Sequence, residues 1–343
     1  MSEALLSVRD LSVDFVGDAQ PVHALERISL EVRAGEVLGI AGESGSGKST
    51  LAQAVLRILP PPGVIVGGSV VFEGRNLLAL SDSELRAVRW ERLSMVFQSA
   101  MDALNPSMTV GEQLIDTLRA HRPVSVEQAR SRAVELLELV GIPTERLGSF
   151  PHQLSGGMRQ RVGIALALVL QPSLVILDEP TTALDVIVER DILQRVLELK
   201  ERLGFSVVFI THDLARMLQI ADRIAVFYAG RLIELATAET LRTNPRHPYT
   251  QGLLRAFPRL SHGEVQLESI PGSPPSLASP PPGCRFHPRC PRAIALCRER
   301  EPALLPIGEE HLAACHLATV DAEPVREAGG SGLRAGQAQP QAT

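Results

Sequence analysis

Gly42-Glu43-Ser44-Gly45-Ser46-Gly47-Lys48-Ser49 follows the apolar run Val37–Ile40 and leads into an apolar helical pattern that begins near Thr50. A strand, a glycine-rich turn and a helix in this order make a phosphate loop. The glycines let the backbone curl until successive N–H groups point inward at phosphate oxygens, with the positive end of the helix behind them. Lys48 would reach the β- and γ-phosphates and the Ser49 hydroxyl would ligate Mg²⁺. The whole stretch Gly42, Glu43, Ser44, Gly45, Ser46, Gly47, Lys48, Ser49 and Thr50 is therefore the expected ATP cradle.

A nucleotide with Mg²⁺ needs a carboxylate source, and Asp178-Glu179 supplies one directly after the apolar run Leu174–Leu177. Asp178 suits the Mg²⁺ shell and Glu179 is placed to polarise an attacking water. Val207–Ile210 is a second β-branched run, and a helical pattern from Val186 to Leu203 lies between the two. Strand, helix, strand in that order implies a parallel sheet.

Further strands are predicted at Leu5–Val8, Ile28–Val32 and Val70–Phe72. Between Glu127 and Val140 the positions Ala129, Ala133, Val134, Leu136, Leu137 and Val140 recur at helical spacing, with Gly141 as the stop. The proline-rich stretch 271–283 excludes helix interiors and central strands and reads as a linker. All four cysteines fall in 284–316, and the Gly-, Ala-, Gln- and Glu-rich end at 321–343 reads as a disordered tail.

The 343 residues hold 45% hydrophobic and 21% charged side chains, ordinary for a globular chain with one large domain and a small one. A net charge of −5 gives no electrostatic case for a nucleic-acid partner. MSEALLSVRDLSVDF lacks a basic segment followed by an apolar one, so no secretory signal is predicted. The most apolar stretch, Val162–Leu170, is far shorter than the roughly 20 residues a membrane span needs. Any membrane role must then run through partners, with the chain itself expected to stay in the cytoplasm.

Leu154-Ser155-Gly156-Gly157-Met158-Arg159-Gln160-Arg161 resembles the signature of the ATP-binding cassette superfamily. The resemblance covers residues 5 to about 255 and runs in the family's order. It implies that Gln98 senses Mg²⁺ and the γ-phosphate, that Ala183-Leu184-Asp185 is the D-loop, and that His212 is the switch histidine beside Glu179. It also implies that Phe15 stacks on adenine. Ser155, Gly156 and Gly157 form a second anion site, a capped helix start. In the family this site faces the nucleotide held by an opposing subunit, so two cassettes close over two ATP molecules. The implied fold is α/β: a phosphate-loop ATPase core with an antiparallel β subdomain, a helical subdomain at about 100–165, and a small cysteine-containing C-terminal domain. The implied boundaries are 1–260 for the ATP-binding domain, 261–283 for the linker and 284–320 for the four-cysteine domain.

Phe97-Gln98 with Leu104-Asn105-Pro106, and Asn244-Pro245-Arg246-His247-Pro248-Tyr249-Thr250, are similar to the branch that powers dipeptide, oligopeptide and nickel importers. Ser99-Ala100 departs from the branch, which commonly has an acidic residue and proline there. The branch implies two membrane permease subunits, a second and usually paralogous ATPase, and an extracytoplasmic solute-binding protein. Nickel or glutathione stays open as cargo, and a non-transport cassette ATPase of DNA repair or ribosomes is the reading from another class.

Cys284, Cys290, Cys297 and Cys315 are similar to the cysteines of the branch's C-terminal appendage, where four thiolates can hold a 4Fe–4S cluster. Four thiolates suit zinc as well, and an unmetallated small core is the third reading. The spacing lacks close C-x2-C pairs, and the resemblance favours iron–sulfur. An isolated segment of this size with few apolar residues would need such a staple to fold.

Overall fold

The computed structural model describes residues 4–17, 20–98, 103–181, 185–256 and 270–318. From the N-terminus run β1 (Ala4–Phe15), β2 (Val22–Arg33), β3 (Val37–Ala41), α1 (Lys48–Val55), β4 (Gly63–Phe72), β5 (Arg75–Asn76), α2 (Asp82–Val88) and β6 (Leu93–Val96). Next come α3 (Val110–His121), α4 (Val126–Leu139), α5 (Gly156–Leu168), β7 (Leu174–Asp178), α6 (Val186–Leu203), β8 (Ser206–Thr211), α7 (Leu214–Ile220) and β9 (Arg223–Tyr228). The chain continues through β10 (Arg231–Thr237), α8 (Ala238–Thr243), α9 (Pro248–Arg255), α10 (Ala295–Glu299), β11 (Leu305–Gly308) and β12 (His311–Ala313).

Among the described residues the strands form two sheets, ordered β2-β1-β4-β5 and β11-β12-β10-β9-β3-β8-β7-β6. In the larger one β9, β3, β8, β7 and β6 run parallel. Every residue of β3, β7, β8 and β9 is buried, as a strand covered on both faces must be, which explains their unbroken apolar runs. The smaller sheet is antiparallel and alternates, with Leu6, Val8, Leu11 and Val13 of β1 pointing inward. β1, β2 and β4 are longer than the apolar runs predict. Asp10 and Arg27 adopt positive φ (47° and 51°) where the register shifts, so the strands pass through polar bulges that break the alternation in sequence.

Helices α3, α4 and α5 follow one another between Val110 and Leu168, and α4 and α6 coincide with the periodic segments. Thr109 with Glu112 and Ser125 with Gln128 form capping boxes at α3 and α4. Val110, Leu114 and Leu118 of α3 share one core with Ala129, Ala133, Leu136 and Leu137 of α4 and Val162 of α5. Among the described residues no helix is long and apolar enough to cross a membrane.

The C-terminal segment does not stand apart. β12 pairs with β10 (Glu234 opposite Ala313, Leu235 opposite Leu312), so β11 and β12 extend the large sheet. Phe286 enters the main core at 2% exposure, its ring centroid 5.3 Å from Tyr228 and 5.4 Å from Tyr249. The segment is held by strand pairing to the large sheet and by Phe286 in the main core. The described part of the proline-rich stretch, 270–283, has neither helix nor strand, as predicted. Residues 261–269 and the predicted tail at 321–343 lie outside the described residues. Phe286→Ala is expected to cost about 3–5 kcal/mol of stability by opening a cavity between the two tyrosines, read as a lowered unfolding midpoint.

Candidate active site

The C-terminal ends of β3, β6, β7 and β8 meet at one edge of the sheet, where open α/β sheets bind ligands. They deliver Gly42, Gln98, Asp178 with Glu179, and His212 to a single cleft.

Two glycines of the loop have no substitute. A Cβ on Gly42 (φ 150°) would lie 2.3 Å from the Phe227 carbonyl oxygen. One on Gly47 (φ 100°) would lie 2.6 Å from Leu25 and 2.7 Å from the Ala24 carbonyl. Lys48 is buried, and its Nζ donates to the carbonyls of Gly42 and Glu43, both at 2.8 Å. Burial pulls its pKa below the usual lysine value, against the opposing charges of Glu179, Asp178 and Glu43.

Ser49 Oγ donates to Asp178 Oδ1 at 3.0 Å. Burial raises the Asp178 pKa and Glu179 adds to the rise, while the Ser49 bond and Lys48 oppose it. A hydroxyl and a buried carboxylate in contact form a hard oxygen pair that fits Mg²⁺ sharing phosphate oxygens, and Gln98 lines the same cleft. Gln98 Nε2 donates to Glu179 Oε2 at 3.2 Å, and His212 Nδ1 lies 3.5 Å from Glu179 Oε1. Glu179 has φ 45°, an uncommon conformation for a non-glycine residue, and its N–H is held by the Ile210 carbonyl at 2.9 Å.

A cleft of about 790 Å³ is lined by Phe15, Ser44, Gly45, Gly47, Lys48, Ser49, Thr50, Gln98, Glu179 and His212, among others. Ser46 is buried within the loop. Phe15 lines the cleft and also packs against the core of the antiparallel sheet.

Ser155, Gly156 and Gly157 are not brought to this cleft. Ser155 is exposed and caps α5, accepting from Met158 N at 3.3 Å. Gly157 is needed for close packing: a Cβ there would lie 2.7 Å from Val188. Of the D-loop, Asp185 caps α6 through Ile187 N and Val188 N, whereas Ala183 and Leu184 lie outside the described residues, as do Ser99 and Ala100.

The cysteines depart from the sequence expectation. Among the described residues no group of three or more His, Cys, Asp or Glu is arranged to hold a metal ion, so the iron–sulfur reading has no support. Cys284 and Cys290 pack against the main core, while Cys315 joins a separate cluster with Ala313 and Ala318. Burial, with the neighbouring sulfurs adding to it, pushes the Cys284 thiol up to about 11 and raises Cys290. Burial raises Cys315 as well.

Several residues around the loop carry no motif in the sequence. Glu43 N donates to Tyr249 Oη at 2.9 Å, and Arg289 holds the Glu43 carboxylate. Glu234, fully buried, accepts from Arg246 N at 2.6 Å, His247 N at 3.0 Å and His311 Nε2 at 2.8 Å. Only the Asn244–Thr250 stretch flagged this neighbourhood, and without its physical reason.

Residues 25–182 match the family model described as ABC transporter, and 233–297 match the oligopeptide/dipeptide transporter C-terminal region. The oligopeptide transport ATP-binding protein OppD of Bacillus subtilis is 45% identical over 325 residues, 94% of this chain and 91% of the relative. This chain belongs to the ABC transporter ATP-binding proteins. The cassette is also 43% identical over 321 residues to the dipeptide transport ATP-binding protein DppD of Escherichia coli, covering 93% and 98% of the two chains. A dimeric ATP-binding cassette in a post-hydrolysis state with ADP and Pi superposes with a TM-score of 0.62 at 29% identity, over 68% of this chain and 98% of that chain.

His247 is buried and its pKa is lowered to about 4, first by burial, with Glu234 opposing. Its neutral Nδ1 accepts from Tyr249 N at 3.0 Å at the start of α9. The unfolded chain takes up this proton near the ordinary 6.5, the folded one near 4, so the unfolded state binds more protons between those values. Stability is therefore expected to fall as pH drops from 6.5 to 4, by on the order of 3 kcal/mol from this residue. Denaturant melts across that window check it, and His247→Asn is expected to flatten the slope.

Proposed function

We propose that this cassette is the ATP-hydrolysing subunit of an importer for dipeptides or oligopeptides. The observation that carries the reading is the single cleft holding Lys48, Ser49 with Asp178, Gln98, Glu179 and His212, in a chain whose C-terminal region is of the oligopeptide/dipeptide type. The names of its relatives, oligopeptide and dipeptide transport ATP-binding proteins, support the cargo class.

In this reading the inward N–H groups of the loop and Lys48 bind the phosphates of ATP. Ser49, Asp178 and Gln98 would hold Mg²⁺, which when bound offsets the charge of the phosphate oxygens. Glu179 accepts a proton from the attacking water and directs it in line at the γ-phosphate. Its hydrogen bond from Gln98 and the neighbouring His212 keep the carboxylate aimed. The strained backbone at Glu179 fixes its position before ATP arrives, so no reorganisation is needed during the reaction.

Ser155–Gly157 would complete the site of a second cassette, which the exposure of Ser155 permits and the dimeric state of the structural relative supports. The partners are two membrane permease subunits, a second cassette, expected to be a paralogue, and an extracytoplasmic solute-binding protein. The cassette works as a peripheral subunit on the cytoplasmic face of the membrane.

Glu179→Gln is expected to lower kcat for ATP hydrolysis by about 100-fold or more while nucleotide binding persists, because it removes the base and keeps the shape. Single-turnover hydrolysis alongside nucleotide titration measures both. Purification with the permease subunits, followed by ATPase assays with the solute-binding protein, tests the cargo. Stimulation by di- or oligopeptides supports the reading, and stimulation by nickel or glutathione alone replaces it.

A further inference from the structure

Arg289 lies in the C-terminal cysteine segment, 246 positions from the phosphate loop it touches. Its Nη1 and Nη2 donate to Glu43 Oε2 and Oε1 at 2.8 and 3.0 Å, a bidentate pair. Nη1 also donates to Tyr228 Oη at 3.3 Å, and Nε donates to the Pro271 carbonyl at 2.8 Å. The guanidinium lies 5.8 Å from the Tyr228 ring centroid. The Arg289 side chain is 7% exposed and that of Glu43 is 26% exposed. This ion pair is built into the protein, unlike the exposed pairs on its surface.

We propose that Arg289 is a positioning residue for ATP binding, which makes the C-terminal cysteine segment a functional part of the phosphate loop. The inference rests on the ATP-site reading of Gly42–Ser49. Glu43 lines the nucleotide cleft, and its main chain is the hub of the loop. Its carbonyl accepts from Lys48 Nζ at 2.8 Å and from Ser46 N at 3.2 Å, and its N–H is held by Tyr249. Arg289 acts on this residue twice. It fixes the loop's mouth by fixing the side chain, and it cancels a carboxylate charge that would otherwise face the negative phosphates of the ligand.

The pair could instead serve only to dock the segment, but the docking has other anchors. Arg285 donates to the Ala229 carbonyl and to Glu26, and Phe286 is set between Tyr228 and Tyr249. Loss of Arg289 therefore leaves the segment seated and the Glu43 carboxylate without its fork. A docking role alone would lower stability and leave the affinity for ATP as it was.

The test uses the full-length chain assembled with its permease subunits and measures KM and kcat for MgATP together with the melting temperature. R289A is expected to raise KM about tenfold with kcat within about threefold, the signature of lost binding that is uniform between ground and transition states. R289K, which keeps the charge without the fork, is expected to recover most of that loss. Added to E43Q, R289A is expected to change KM by less than about twofold, because the charge it would expose is gone. A lowered melting temperature with unchanged KM overturns the proposal, and so does an R289A effect of equal size in both Glu43 backgrounds. If R289A does not accumulate as folded protein, R289Q carries the same comparison. K48A separates the two levels of inference. Native-like ATP binding by K48A would remove the ATP-site reading, whereas loss in K48A with native KM in R289A removes only the role of Arg289.

Discussion

The phosphate loop can hold its curl only if neighbouring backbone comes closer than any side chain would allow. Gly47 packs on the Ala24 carbonyl and Leu25 of β2, and Gly42 on the Phe227 carbonyl at the end of β9. The Ser46 carbonyl accepts from Gly230 N at 3.0 Å, and the Gly230 carbonyl in turn accepts from Glu26 N at 3.0 Å. The loop is thus wedged between the antiparallel sheet and the β9–β10 turn. The two sheets cannot shift against each other without opening the cradle, so the placement of the N-terminal subdomain follows from a backbone constraint at the nucleotide site.

The same wedge explains which parts of the protein were legible in sequence. The parallel strands are covered on both faces, and Leu174–Leu177 and Val207–Ile210 announce themselves as unbroken apolar runs. Asp178 and Glu179 at the end of the first run were legible because chemistry there depends on a short local pattern, whereas His212 came from the family resemblance. The reach of β1 and β2 was not, since bulges at Asp10 and Arg27 interrupt the alternation on which a strand reading rests. Nor were Arg289 and Glu234, and Tyr249 was flagged only within Asn244–Thr250, without its contact to the loop. Each is an ordinary residue whose importance comes from a partner far away in the chain, and no local period encodes that.

The C-terminal segment shows how a misplaced expectation arises. Four cysteines and few apolar residues look like a small unit in search of a staple, and that holds for an isolated fold. Here the missing stabilisation comes from outside the segment: strand pairing with β10, Phe286 in the main core, and Arg285 and Arg289 bound to Glu26 and Glu43. Desolvation then acts on the thiols as on any buried acid, favouring the protonated form. The burial that anchors the segment is the same burial that raises the thiols of Cys284, Cys290 and Cys315.

Glu234 ties the remaining pieces into one mechanical unit. A buried carboxylate would be costly alone, but here its oxygens accept from Arg246 N, His247 N and the His311 ring, which join the turn before α9 to β12. That turn sets the position of Tyr249, whose hydroxyl accepts from Glu43 N in the loop. A continuous set of hydrogen bonds therefore runs from β12 through Glu234 and α9 to the phosphate cradle, and a second contact, through Arg289, reaches the same loop residue from the cysteine segment. Both routes end on Glu43, one at its main chain and one at its carboxylate. Because that residue's carbonyl also accepts the Lys48 ammonium, a change in how the C-terminal segment is seated would reach Lys48 through a single residue.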